Sequence, residues 1–192
     1  KVFIAIKPQG ELIATETVKQ QIKNSIQDRT MLGIDPVIID PVYLFVIPTI
    51  NTFYDTLKTA TTSSSIQTLI RSAISDFSTT SLEQFGKKLR YSRFVRTLDN
   101  VNDAVLNNEA TFKMQKRFVP STVSKQLIKL EYHNAIVPSS LLSTSFTFNN
   151  FTAFLDDDGL GNVRIFRFNS DKQKVSINST AGTINYTTGE VN

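Results

Sequence analysis

The sequence predicts an α+β fold in two parts: an N-terminal α/β sandwich-like domain over residues 1–119, ordered strand, helix, long strand, helices, strand, and a β-rich unit over residues 120–192. Three observations predict it. Residues 35–55 are a run of Val, Ile, Tyr, Leu and Phe broken by Pro36, Pro41 and Pro48, and β-branched and aromatic side chains suit a pleated surface. Ile66, Leu69, Ile70, Ala73, Ile74 and Phe77 fall on one wide helical stripe. After Pro120 the helical period gives way to short apolar segments separated by turn residues.

Residues 2–6 form a short apolar strand, and the loop through Pro8 and Gly10 leads to a helix capped by Thr15. Val18, Ile22 and Ile26 recur every four residues as an apolar stripe, with Lys19, Lys23 and Arg29 outside it; the helix is expected to end near Met31, before Gly33. In the run that follows, apolar residues fill both alternating sets, Val42, Leu44 and Val46 on one face and Tyr43, Phe45 and Ile47 on the other. Such a strand is expected to be covered on both sides. Proline brings no N–H to a ladder, so Pro41 suits the strand's entry and Pro48 marks an edge, a bulge or a change of partner. Ser and Thr in residues 59–65 offer caps for the helix of the 66–77 stripe. Leu82, Phe85, Leu89, Phe94, Val95, Leu98 and Val101 continue a helical period with a break near Tyr91 and Ser92, which predicts two short helices, the second capped by Ser92. Residues 107–119 alternate weakly, with Phe112, Met114 and Phe118 among polar residues, as a half-exposed strand does.

The β-rich unit is read as strands at 126–133, 143–148, 151–155, 163–168, 175–178 and 183–186. Charge divides in the same place: residues 1–119 carry 15 Lys or Arg against 11 Asp or Glu, and residues 120–192 carry 6 against 6. A boundary is expected within residues 120–125. The chain opens inside an apparent strand without Met and stops just after Gly189, Glu190 and Val191, so it is expected to be a fragment of a longer protein, with the β unit continuing beyond it.

Composition bounds the chemistry more than it names it. The chain has 192 residues, 40% hydrophobic, enough for a core in one or two globular domains. With no Cys, disulfides, thiolate catalysis and Cys-ligated zinc are excluded. The longest apolar stretch, residues 42–47, is far too short to span a bilayer, and no membrane partner is expected.

Few constellations could carry a reaction, and no cofactor, metal or catalytic residue is expected. The single His, His133, follows Tyr132 at the end of a strand and reads as a surface or interface histidine. Asp156, Asp157 and Asp158 precede Gly159, Leu160 and Gly161, but an EF-hand would need Glu where Ile165 stands; the triplet reads as a hairpin turn. Gly86, Lys87 and Lys88 lack both the earlier Gly and the following Ser or Thr of a phosphate loop. The cations Lys87, Lys88, Arg90, Arg93 and Arg96 cluster around Tyr91 and Phe94, and read as a solvated helix face or a surface for an acidic partner protein; a nucleic-acid partner is the less expected reading. In "STSFTFNNFTAF", Phe146, Phe148, Phe151 and Phe154 either fill the core of the β unit or are covered by a partner.

Taken in order, "VFIAIKP", "TVKQQIKNSIQDRTMLGIDPVIIDPVYLFVIPTINTFYD", "SIQTLIRSAISDF" and "FGKKLRYSRFVRTLDNVNDAV" resemble the C-terminal half of the large baseplate wedge subunit of contractile-tailed bacteriophages, a family of the baseplate J-like group. The resemblance runs through residues 2–119, and "AGTINYTTGEV" is similar to a strand-turn-strand signature late in the same proteins. It implies a structural, non-enzymatic protein of the virion tail baseplate, assembled in the host cytoplasm. It also implies homo-oligomeric pairing, as a dimer, and contact with other wedge proteins as rings close around the tail tube. Two other classes stand beside it. One is a tail binding module for polysaccharide, through the β unit, or for nucleic acid, through residues 87–96. The other is a hydrolase with paired carboxylates at Asp156, Asp157 and Asp158.

Overall fold

A computed structural model of the chain describes residues 1–27, 29, 34–58, 62–120 and 126–192. The fold is α+β with a β-rich C-terminal part, as predicted. Two compact units divide it: Phe45–Gln115 is one, and Lys1–Leu44 with Lys116–Asn192 is the other.

Strand β1 (Val2–Ala5) pairs in parallel with β2 (Pro36–Ile39), and helix α1 (Glu16–Gln27) lies in the crossover that parallel pairing requires. Thr15 caps the helix as expected, its Oγ1 accepting the Val18 N–H at 3.4 Å. Charge helps to fasten α1. Lys19 bridges Glu16 and Asp40 at 2.8 Å each, and Lys23 reaches Asp35 at 3.5 Å, so its cations meet acids on both sides of β2. The helix end expected near Met31, before Gly33, lies outside the described residues.

The apolar run of residues 35–55 is not the single doubly covered strand expected. Pro41 fixes φ and offers no donor, the β2 ladder stops at Ile39, and Val42 is 86% exposed. Strand β3 begins at Phe45 and runs to Tyr54, so the run feeds two different sheets. Helix α2 (Ser63–Phe77) follows, its Thr62 Oγ1 accepting the Ser65 N–H at 3.3 Å, and continues into a π-helical turn, Ser78–Leu82. After it one helix forms where two were expected, α3 (Tyr91–Asp99). Leu82 and Leu89 pack on the same core without belonging to a regular α-helix, which is what imitated a continuous helical period. Ser92 sits inside α3 rather than capping it; Arg90 holds the N-cap position without a side-chain bond.

Strand β4 (Val105–Gln115) then closes an antiparallel ribbon with β3, in register from Phe45 opposite Gln115 to Tyr54 opposite Val105, with one irregularity at Phe53 and Tyr54. Pro48 stands opposite Phe112, and β3 pairs with no other described strand, so its missing donor falls on an edge strand, one of the expected readings. Phe118 lies beyond the strand and is exposed. One ribbon face meets the helices: Ile50, Tyr54, Ala110 and Phe112 pack with Ile66, Ile70, Phe77, Phe94 and Leu98. Phe94 anchors this core, edge-on to Phe77 at 5.3 Å and to Phe112 at 5.2 Å.

The remaining strands form one antiparallel sheet: β5 (Leu130–Glu131), β6 (Phe146–Phe148), β7 (Phe151–Asp157), β8 (Asn162–Phe168), β9 (Lys174–Asn185) and β10 (Glu190–Val191), in the order β5-β10-β9-β8-β7-β6. Asn149 and Asn150 join β6 to β7 with φ of 47° and 63°, the left-handed pair a two-residue type I′ hairpin requires. The strands expected at 175–178 and 183–186 are one strand, β9. Its register against β8 jumps from Asn178 opposite Ile165 to Gly182 opposite Val163, so the turn-like residues between them bulge instead of ending the strand.

Candidate functional site

Alternation along β7 and β8 puts Phe154, Asp156, Arg164, Phe166 and Phe168 on one sheet face, because Phe154 pairs with Phe166 and Asp156 with Arg164. The three rings form a triangle with centroids 5.5 Å apart on every side. Beside it Asp156 accepts Arg164 Nε and Nη2 at 3.0 Å each and Lys174 Nζ at 3.2 Å, and that same ammonium lies 4.4 Å from the centre of the Phe166 ring. The Asp156 carboxylate in turn raises the Arg164 pKa. Of the four phenylalanines singled out, Phe154 joins this cluster and Phe146 and Phe148 are half-buried on β6. Phe151 is the exposed one, beneath the Arg167 guanidinium at 4.2 Å.

The three aspartates do not share one role. Asp158 makes the expected turn, accepting the Leu160 and Asn162 N–H groups at 2.7 and 3.0 Å and the Asn162 side-chain amide at 2.7 Å. These donors, the Asn162 side chain foremost, hold its carboxyl down to about 2. Asp157 is instead a buried clasp: its carboxylate accepts the Ser139 N–H at 2.6 Å, the Leu141 N–H at 2.8 Å and the Tyr186 hydroxyl at 2.7 Å. It ties the loop before β6 and the loop after β9 to β7. Burial, then the bond to Asp157, raises the Tyr186 pKa. The sequence reading missed this clasp and the Asp156 ion pairs. Tyr186 and Ser139 are far from Asp157 in the chain, and only the β7–β8 register could have placed Arg164 across from Asp156.

His133 is exposed with φ of 53°, its Nε2 3.6 Å from Glu131. Lys129 bridges Glu131 and Glu190 at 2.7 and 2.9 Å across the β5–β10 pair and holds the Glu131 carboxyl below its ordinary range. Among the described residues no group of His, Asp and Glu is arranged to hold a metal ion, and no helix is long and apolar enough to cross a membrane.

The basic cluster lies in the Phe45–Gln115 unit. Lys87 and Lys88 follow Gly86 in the loop, Arg90 is the N-cap of α3, and Arg93 and Arg96 lie on the helix; all five are exposed. On the outer face of the ribbon in the same unit, Ile47, Thr49, Asn51 and Phe53 stand opposite Lys113, Thr111, Glu109 and Asn107, with Ile47 and Phe53 exposed.

Among the described residues, Asp156, Asp157 and Asp158 are thus committed to internal partners, while the ribbon's outer face and the row of cations are each exposed. A family model described as baseplate structural protein gp6, C-terminal domain III, matches residues 42–117, taking in the whole Phe45–Gln115 unit. Baseplate wedge protein gp6 of Enterobacteria phage T4 is 27% identical over 179 residues, which cover 90% of this chain and 27% of that protein; the chain spans about a quarter of the length of this relative.

Proposed function

We propose that this chain is part of the C-terminal region of a large wedge subunit of the baseplate J-like group, a structural and non-catalytic component of a contractile phage tail baseplate in the virion. It works by pairing with a second copy of itself and with other wedge proteins as the ring closes. The observation that carries the reading is the coincidence of the family match with one complete structural unit, Phe45–Gln115, rather than with an arbitrary stretch.

The ribbon's outer face supports pairing of copies. A twofold axis through the centre of the Thr49–Thr111 pair, lying in the plane of contact and across the strands, sets Lys113 of one copy against Glu109 of the other, twice, and Thr111 against Thr111. The face is complementary to itself in charge. Light scattering over a concentration series tests this. The expected result is a rising mass toward the dimer, abolished by Lys113→Glu and restored when Glu109→Lys is added. A strict monomer at every concentration, or a dimer indifferent to both changes, overturns pairing through this face.

A further inference from the structure

Aspartate followed by glycine is a dipeptide in which a protein backbone readily rearranges, because glycine has no side chain to shield its nitrogen. That nitrogen attacks the carboxyl carbon of the aspartate side chain. A nitrogen–carbon bond forms, the carboxyl OH leaves with the amide hydrogen as water, and a succinimide ring remains. Water then reopens the ring. Opening at the side-chain carbonyl restores aspartate, whereas opening at the backbone carbonyl routes the main chain through the side chain as isoaspartate. In this chain the pair occurs once, at Asp158–Gly159, and Asn–Gly, which closes the same ring with loss of ammonia, does not occur.

The turn between β7 and β8 requires this pair. Gly159 lies at φ 77°, in the left-handed region that side chains resist, and a Cβ there would fall 2.6 Å from the Ser139 Oγ. Asp158 closes the turn in two ways: its carboxylate accepts from Leu160 and Asn162, and its own N–H donates to the Asn162 carbonyl at 3.1 Å.

The same turn withholds both things that ring closure needs. The first is a carboxyl free to swing its carbon onto the Gly159 nitrogen. Here Oδ1 is held by the Leu160 N–H at 2.7 Å and the Asn162 N–H at 3.0 Å, and Oδ2 by the Asn162 Nδ2 at 2.7 Å. The second is the neutral acid, since a carboxylate has no OH to lose. With the carboxyl held down to about 2, chiefly by the Asn162 side chain, less of that form exists than in the unfolded chain.

We propose that Asp158–Gly159 is a latent isoaspartate site which the turn keeps closed, with the Asn162 side-chain amide as its guard. Opening it would not stay local. Isoaspartate lengthens the main chain by one methylene and displaces Gly159 from Ser139, whose N–H the Asp157 carboxylate accepts at 2.6 Å, so the damage reaches the clasp on the loop before β6. The reaction is intramolecular and owes nothing to pairing of copies.

Incubation of the whole chain at pH 6, followed by peptide mapping with electron-transfer fragmentation to quantify isoaspartate at residue 158, tests it. The expected result is accumulation at least tenfold slower in the folded wild type than in guanidinium chloride, and at least fivefold faster in folded Asn162→Ala than in folded wild type. Tyr186→Phe, which weakens the neighbouring Asp157 clasp but leaves every donor to Asp158 in place, should change the rate less than twofold. The wild-type comparison, folded against unfolded, carries the test even if Asn162→Ala does not fold. Equal rates in folded and unfolded wild type, or an acceleration by folded Asn162→Ala no greater than that by Tyr186→Phe, would overturn the proposal.

Discussion

Asp157 shows how much one side chain can organise. It is 3% exposed, and its removal strands two backbone N–H groups and the Tyr186 hydroxyl together, so Asp157→Ala should cost about 2–3 kcal/mol, read from the urea midpoint. Tyr186→Phe removes one donor of three and should cost less. Asp158, its neighbour, should write itself into the acid limb of stability instead. Its folded pKa is depressed to about 2, so its contribution is complete above the ordinary carboxylate range and is lost as the pH falls from about 4 through 2. Between pH 5 and pH 2 the urea midpoint of the wild type should therefore fall further than that of Asp158→Asn. An equal fall in both would show that the turn owes nothing to the charge.

Among the elements, the helical stripes were the most legible. The spacing of Ile66, Ile70 and Phe77 fixes which side of α2 is buried whatever it packs against, and the structure buries all three. Leu98 on α3 is 0% exposed at the centre of that core, so Leu98→Ala should cost about 3 kcal/mol, a drop in urea midpoint that no exposed residue of the same helix should match. Strands were legible in kind and not in extent. Apolar alternation marks residues 42–47 as strand-like, but whether they pair depends on a partner elsewhere in the chain, and Pro41 ends one ladder before Phe45 opens another. Turn-like residues 179–181 were equally ambiguous, since a bulge uses the same residue types as a turn. Of the candidate surfaces, the basic cluster was visible in the sequence because its residues are contiguous. That none of the described carboxylates pairs with it was not, because pairing is a matter of distance.

At the scale of the whole molecule, Phe45–Gln115 interrupts a unit whose two parts, Lys1–Leu44 and Lys116–Asn192, are separate in sequence. It holds its own core of two helices on a ribbon, so the excised segment should unfold in one cooperative thermal transition; a broad, non-cooperative melt would show that it borrows stability from the rest of the chain. Its first and last residues, Phe45 and Gln115, are partners in one ladder, so the chain enters and leaves side by side. That has a mechanical consequence. Tension carried along the backbone reaches both strands of the ribbon at the same end, and pulls their hydrogen-bonded pairs apart one after another rather than loading them all in shear. The unit is thereby a compliant link, which should yield progressively at low force, starting from Phe45 and Gln115, before strain reaches the helices.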